Sequence, residues 1–241
     1  MNLSVALATY NGELYLKEQI ESIIGQLEED DELIISDDGS TDSTIEIIST
    51  YLNDKRVKLY SNNEKGVIKN FENAIRKTKN NIIVLSDQDD VWLPNKAKTI
   101  KDVFSRNNTK LLVSAAKYVD SDLNEINSMN SIHPTWRKGI VKNIIKNTYI
   151  GCCMAFNREV LDIILPFPEN IPMHDVWIGI LVELNKSEVT YIDEPLILYR
   201  RHNNTATTNK RNNLKRIISW RFALFTNLVK RSMKFKGGRI K

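Results

Sequence analysis

The feature that most limits what this chain can become lies at its start. Short apolar runs alternate there with single segments of helical spacing. Leu3–Ala8 is apolar and breaks into Thr9-Tyr10-Asn11-Gly12; from Leu14 to Ile24 the residues Leu16, Ile20, Ile23 and Ile24 recur on one helical face. Glu32–Ser36 is a second run, after which Thr41 or Asp42 can cap the helix carrying Ile45, Ile48 and Leu52. Val57–Tyr60 leads to a helix with Phe71, Ala74 and Ile75, and Asn81–Leu85 closes the series. Strands joined through a helix run parallel, because a tight hairpin cannot connect them. The expected fold class is α/β, with a mainly parallel central sheet flanked by helices.

Beyond Pro94 the pattern loosens. Leu111–Val119 predicts a strand, and residues 120–147 a long polar connection with a short helical piece at Ile140–Ile145. Tyr149–Phe156 predicts a strand carrying Gly151, Cys152 and Cys153. A helix is expected over Val176–Leu184, extended chain over Val189–Tyr199 and a polar loop over 200–212. From Leu214 to Phe235 apolar residues return at helical spacing among basic ones, which predicts an amphipathic C-terminal helix.

Composition matters here for its distribution. At 41% hydrophobic and 27% charged residues the chain is neither fibrous nor disordered. Its net charge of +4 hides eleven Lys/Arg and no acid from Asn209 to Lys241, which leaves residues 1–208 at −7. A basic tail on an acidic body points to a polyanion or an anionic membrane surface. Cys152 and Cys153 are adjacent and expected on opposite strand faces, so no disulfide framework is expected. With no basic-then-apolar leader and no run of eighteen apolar residues, the expected location is the cytoplasm.

In open parallel sheets ligands bind at the carboxyl ends of the strands. Three expected strands end in polar clusters: Thr9-Tyr10-Asn11-Gly12, Asp37-Asp38-Gly39-Ser40 and Asp87-Gln88-Asp89-Asp90. Asn-Gly and Asp-Gly are also turn formers, and an acidic cluster before Pro94 also suits a helix start. Crowded carboxylates such as Asp87, Asp89 and Asp90 repel one another unless a cation neutralises them, and a divalent ion shared with substrate phosphates is a usual solution.

Taken in order, Thr9–Gly12, Ser36–Asp42, Gly66 with Asn70-Phe71, and Ser86–Trp92 closely resemble family 2 glycosyltransferases of the GT-A fold. The likeness is greatest to the bacterial rhamnosyl- or galactosyltransferases of surface polysaccharides. It continues through Gly151–Phe156, His174–Trp177 and Tyr199–His202, and covers residues 1–205. The resemblance implies a catalytic domain at 1–208, with a nucleotide-binding half at 1–106 and an acceptor-binding half at 107–208. Residues 209–241 would be the basic amphipathic appendage. It implies that Thr9, Tyr10, Asn11, Asp37, Asp38, Lys69, Asn70 and Asp87 hold the nucleotide. Asp89 and His202 would hold Mn²⁺ or Mg²⁺, with Arg200 and Arg201 assisting at the diphosphate. Asp175 would be the catalytic base, although His174-Asp175 after Pro172 also suits a helix cap. Asp90, Trp92, Gly151, Cys152 and His174 would border the acceptor.

The implied reaction is an inverting, metal-dependent transfer from a nucleoside-diphosphate sugar, dTDP-rhamnose or a UDP-hexose, to a lipid-linked glycan. The rival reading is a catalytically silent nucleotide-binding or membrane-adaptor module. Such a module would be expected to lose Asp89, Asp175 or His202, and all three are present. No nucleic-acid motif appears, and the acidic body would repel phosphates. A dinucleotide dehydrogenase needs a glycine-rich first turn that Ala8–Gly12 does not supply; a nucleotidyltransferase would show a glycine-rich, basic first loop, also missing. His133 is expected in a loop, and Trp136 beside the acceptor. The basic tail helix is expected to lie peripherally on the inner face of the membrane; its other uses would be packing on the body or a homodimer contact.

Overall fold

The computed structural model describes residues 1–126, 136–202 and 214–237, the last helix with side chains over 217–233. His133, residues 203–213 and the C-terminal 238–241 lie outside the described residues.

Four strands, β1 (Leu3–Thr9), β2 (Glu32–Asp37), β3 (Val57–Ser61) and β4 (Ile82–Ser86), are parallel and lie in the order β3-β2-β1-β4. The helices α1 (Leu16–Ile24), α2 (Thr44–Ser49) and α3 (Val67–Lys77) make the crossovers. β1 is thus the strand at which the winding reverses, which is where a parallel sheet opens a crevice at its carboxyl edge. Period-two alternation along β1 splits the core: Leu3, Val5 and Leu7 face the side of α1, whereas Ala6 and Ala8 face α3 with Phe71 and Ile75.

The second half turns the sheet mixed. After β5 (Val91–Trp92), α4 (Lys96–Arg106), β6 (Leu111–Val119) and α5 (Ile140–Ile145) comes β7 (Met154–Asn157), antiparallel to both β4 and β6. Then follow α6 (Leu161–Ile164), α7 (His174–Leu184), β8 (Val189–Arg200), which is parallel to β6 and antiparallel to β5, and α8 (Leu214–Gly237). The full order is β3-β2-β1-β4-β7-β6-β8-β5. Because β7 runs backwards, its beginning lies at the same rim as the carboxyl ends of β1, β2, β4, β6 and β8. That reversal brings Gly151 to the same cavity as Asp87 and Arg201.

Two local expectations are corrected. The segment Gly151–Cys153 is a 3-10 turn closed by the Cys153 N–H on the Ile150 carbonyl at 3.0 Å, so the strand begins only at Met154. Helix α4 was not expected, because one of its buried positions is a lysine: Lys96, Ala97, Ile100 and Phe104 form its inner face. The C-terminal helix does pack on the body, through Leu224 and Leu228. Among the described residues no helix is long and apolar enough to cross a membrane.

Candidate active site

The turns after β1 and β2 are laced to each other. Asn11 takes a left-handed conformation with φ of 48°; its N–H donates to Ser40 Oγ at 2.9 Å, and its Oδ1 accepts from the Thr41 N–H at 2.9 Å. Asp37 Oδ2 accepts from the N–H groups of Gly39 and Ser40, and Oδ1 from the Ser40 hydroxyl. Asp38 accepts from the Asn62 amide at 2.8 Å and from the Gly66 N–H at 2.9 Å. Both carboxylates are buried, and these bonds make them builders of the loop wall. Tyr10 stands exposed beside them at the rim.

Gln88, which the sequence reading passed over, ties this loop to the end of β4. Its Oε1 accepts from Thr9 Oγ1 at 2.7 Å and from the Tyr10 N–H at 2.8 Å, and its Nε2 donates to the Tyr10 carbonyl. Asn70 donates from Nδ2 to the Thr9 carbonyl at 2.9 Å, while its buried Oδ1 has no protein partner. Lys69 bridges Glu64 and Glu72 at the mouth of α3.

Beyond this wall lies a cavity of about 390 Å³, whose lining includes Asp87, Asp89, Gly151, His174, Asp175 and Arg201. Burial, with Asp89 and Asp175 nearby, pushes the Asp87 carboxyl up to about 7. Asp89 Oδ2 lies 2.9 Å from His202 Nε2, so the end of β4 and the segment after β8 meet here. Arg201 holds its guanidinium 5.8 Å from both the Tyr118 and Tyr199 rings.

Among the described residues one group of three donors lies close enough together to share a metal ion. Asp87, Asp90 and Cys152 place ligand atoms within 4.8 Å of one another, but Asp90 and Cys152 are sealed from the cavity. Burial raises that thiol well above its ordinary value and raises the Asp90 carboxyl too. A shared proton suits this pocket better than a hard cation. Asp89 and His202, 2.9 Å apart, offer an oxygen and an imidazole donor, a pair that fits Mn²⁺ or Mg²⁺ when a substrate completes the coordination.

On the opposite wall Asp175 sits in the first turn of α7. Its Oδ1 accepts from the Val176 N–H at 2.5 Å and from the Asn147 amide at 3.4 Å. Burial nonetheless pushes its carboxyl up to about 7. Asn147 also brackets Tyr149, accepting from its N–H and donating to its carbonyl. His174 stacks on Phe71 with ring centroids 3.9 Å apart, and burial pulls it down to about 3, so the imidazole is neutral. Neither of its ring nitrogens has a protein partner. A Cβ on Gly151 would meet His174 Nε2 at 2.8 Å; glycine is what lets the β7 turn approach the imidazole.

Five expected contacts are placed elsewhere. Trp92, expected at the acceptor, is 3% exposed in the core, with Lys96 Nζ 4.7 Å over its ring. Asp90 is fully buried and accepts the Arg200 N–H at 3.0 Å through Oδ1. The Cys152 side chain lies behind the rim, and its carbonyl accepts from buried Lys96 Nζ at 2.8 Å. Arg200, expected at the diphosphate, is 2% exposed. It donates to the Asp89 carbonyl, pairs with Glu18 and lies 4.5 Å over Tyr15. Its charge is consumed in bracing the end of β8, and Tyr15 also contacts the His202 ring. Trp136 stacks on Tyr191 rather than opening into the cavity.

Carboxylates converging on the switch point of this mixed sheet, one set beside an imidazole and another at a helix start, define a GT-A fold with a group-transfer site. A model of glycosyl transferase family 2 matches residues 4–165, well over half of the chain, and the chain belongs to that family. It is a glycosyltransferase. Among its relatives is a dTDP-rhamnosyl transferase, RfbG of Shigella flexneri, 29% identical over 222 residues and covering 82% of this chain and 72% of that one. Another is the UDP-Glc:alpha-D-GlcNAc-diphosphoundecaprenol beta-1,3-glucosyltransferase WfgD of Escherichia coli, 27% identical over 222 residues and covering 89% and 83%. The S. aureus TarS 1-349 structure in complex with UDP-GlcNAc shares the fold with a TM-score of 0.69 and 19% identity; the match covers 85% of this chain and 60% of that one.

Proposed function

We propose that the protein transfers one sugar, with inversion, from a nucleoside-diphosphate donor to a hydroxyl of a lipid-linked glycan. The observation that carries this reading is the shared cavity: Asp87, Asp89 and Arg201 on one side and Asp175 on the other border the same 390 Å³. The relatives named for dTDP-rhamnose and UDP-glucose transfer support the donor class, and the diphosphoundecaprenol named for WfgD supports the acceptor class.

The nucleotide would lie against the β1 and β2 turns. Tyr10 offers a ring face, Thr9, Asn11, Asp37 and Asp38 shape the wall, and Lys69 and Asn70 border it from α3. Asp89 and His202, with Asp87, would hold Mn²⁺ or Mg²⁺. When bound, that ion stabilises the charge that develops on the departing diphosphate. Arg201 adds a fixed positive charge on the same side. Asp175 takes the proton from the acceptor hydroxyl as that oxygen attacks the anomeric carbon from the face opposite the leaving group. Asn147 holds the carboxylate in place, and the neutral His174 and Gly151 line the acceptor's approach. The acceptor is presented at the cytoplasmic face of the membrane.

Calorimetric titration with UDP- and dTDP-sugars, with and without Mn²⁺, tests this reading, together with NMR of the product anomer. One donor should bind in a Mn²⁺-dependent manner, and Asp89→Ala should weaken that binding by at least about tenfold. Retention of the anomeric configuration, or donor binding indifferent to Mn²⁺ and to Asp89→Ala, would refute it.

A further inference from the structure

Helix α8 has two apolar faces, and among the described residues only one is covered. Leu224 and Leu228 are buried against the body, and Arg231 fastens that side by donating to the Ile163 and Leu165 carbonyls and lying 5.4 Å from the Trp177 ring. Ile218, Phe222, Phe225, Val229 and Met233 follow the i, i+4, i+7, i+11, i+15 spacing of a second stripe, which lies away from Leu224 and Leu228. All five are exposed, Phe222 to 69% and Met233 to 68%.

Helix α5 extends this face. Arg221 of α8 donates to the Ile145 carbonyl at the end of α5, and α5 presents Val141 and Ile145, one turn apart, to solvent. The charge along both of these segments is of one sign. Residues 209–241 hold eleven Lys/Arg and no acid; residues 126–158 hold Arg137, Lys138, Lys142, Lys146 and Arg158 and no acid. Arg137, Lys142 and Lys146, with Thr148, line a small cavity of about 70 Å³. Converging cationic side chains of this kind receive phosphate oxygens.

We propose that the α5–α8 face is a docking surface for an anionic phospholipid bilayer. The α8 stripe with Val141 and Ile145 would sit at the acyl boundary, and Arg137, Lys142 and Lys146 would take a headgroup phosphate. A second copy of this chain is a poorer occupant, because the same face on two copies would set like charges together with no acid from either segment to offset them. The surface also connects with the cavity along the chain. Lys146 precedes Asn147, whose amide bonds Asp175, so docking would set the acceptor side of the cavity next to the bilayer. The purpose of this surface rests on the lipid-linked acceptor proposed above; the binding itself does not.

The test is co-sedimentation of the full chain with vesicles of phosphatidylcholine alone and with about one third phosphatidylglycerol. Binding should favour the anionic vesicles by at least about tenfold and weaken as salt rises. Phe222→Ser/Phe225→Ser should lower it by about tenfold or more, and Lys142→Glu/Lys146→Glu by a similar factor, at unchanged unfolding temperature. Ile218→Ser/Val229→Ser replaces the aromatic pair should that variant fail to fold. Equal binding to both vesicle types, or full binding by the Lys142→Glu/Lys146→Glu variant, would overturn the proposal. So would a concentration-dependent dimer that the aromatic pair dissolves while vesicles stay unbound. Vesicle binding without sugar transfer would instead count against the proposed reaction alone.

Discussion

The two sides of the rim are built on opposite terms. In the parallel half, the turns after β1 and β2 satisfy each other: Asn11 with Ser40 and Thr41, Asp37 with Gly39 and Ser40, Asp38 with Asn62 and Gly66. Asp42 in the same loops is held below the ordinary carboxylate range. Burial pushes it up, but the Thr44 side chain and the N–H groups of Glu13 and Thr44 outweigh that. Around the cavity, where the end of β4 faces the start of α7, burial wins. Asp175 and Asp87 are raised to about 7, His174 is lowered to about 3, and His174 Nδ1, His174 Nε2 and Asp90 Oδ2 have no protein partner. A finished wall can present a ligand without moving. A wall with unmet polar groups gains partners only when a ligand or proton arrives, and there the chemistry is expected.

Asp175 puts the contrast under the greatest strain. Asp175→Asn keeps the acceptor for the Val176 N–H but removes the proposed base, so transfer should fall by about 10³-fold or more while donor affinity stays within a factor of about two. The wild-type rate should rise with pH through a limb near 7, the value to which burial drives this carboxyl. Stability should move the other way. The folded protein keeps the Asp175 proton up to about 7, whereas the unfolded chain releases it near the ordinary 3.8. Stability from this group is therefore complete below about 4, declines as pH rises to 7, and remains reduced above it. Asn carries no such cost. At pH 8 urea unfolding should show Asp175→Asn more stable by on the order of 2–4 kcal/mol, and at pH 4 no gain. An inactive variant with no pH-dependent gain in stability would mean that the carboxylate is not desolvated, and the contrast would fail.

Gly151 offers a milder test of the same wall. A methyl group there meets His174 Nε2 at 2.8 Å, and the imidazole is wedged against Phe71. Gly151→Ala must shift the turn or the ring, so the acceptor KM should rise by about tenfold, with donor binding unchanged. Steady-state kinetics with each substrate varied in turn would check this. A change confined to the donor KM would mean that Gly151 belongs to the nucleotide half.

Where the polar clusters fall was legible in the sequence because each closes an apolar run of period two or a short buried strand. The alternation also places β1 to β4 correctly to within a residue or so at each end. What was hidden depends on contacts between distant segments. Gln88 looked like a spacer between two aspartates, yet it joins β4 to the Thr9–Tyr10 turn across some eighty positions. Lys96 reads as a surface residue after Pro94-Asn95, and it is buried with its ammonium on the Cys152 carbonyl. Counting it as polar concealed α4. Arg200 and Arg201 look equivalent in sequence. One is locked by Glu18 and Asp89 beneath the rim, and the other lines the cavity. Asn147 carried no signal at all, since only the fold brings the polar connection against the start of α7.

The smallest effect is expected on the finished side. Ser40 accepts from the Asn11 N–H at 2.9 Å and donates to Asp37 Oδ1. Ser40→Ala removes both bonds, but the Asn11 N–H is exposed to solvent and Asp37 keeps the N–H groups of Gly39 and Ser40. Water can therefore replace much of what is lost. The cost should be about 1 kcal/mol of stability, with the donor KM raised by no more than about threefold and the turnover rate unchanged. Mutual satisfaction makes this wall tolerant, because a group that loses one partner keeps either another or access to water. The unmet wall has no such reserve. A tenfold or larger loss of turnover from Ser40→Ala would show instead that the turns are poised rather than finished, and that strain on the nucleotide side takes part in the transfer.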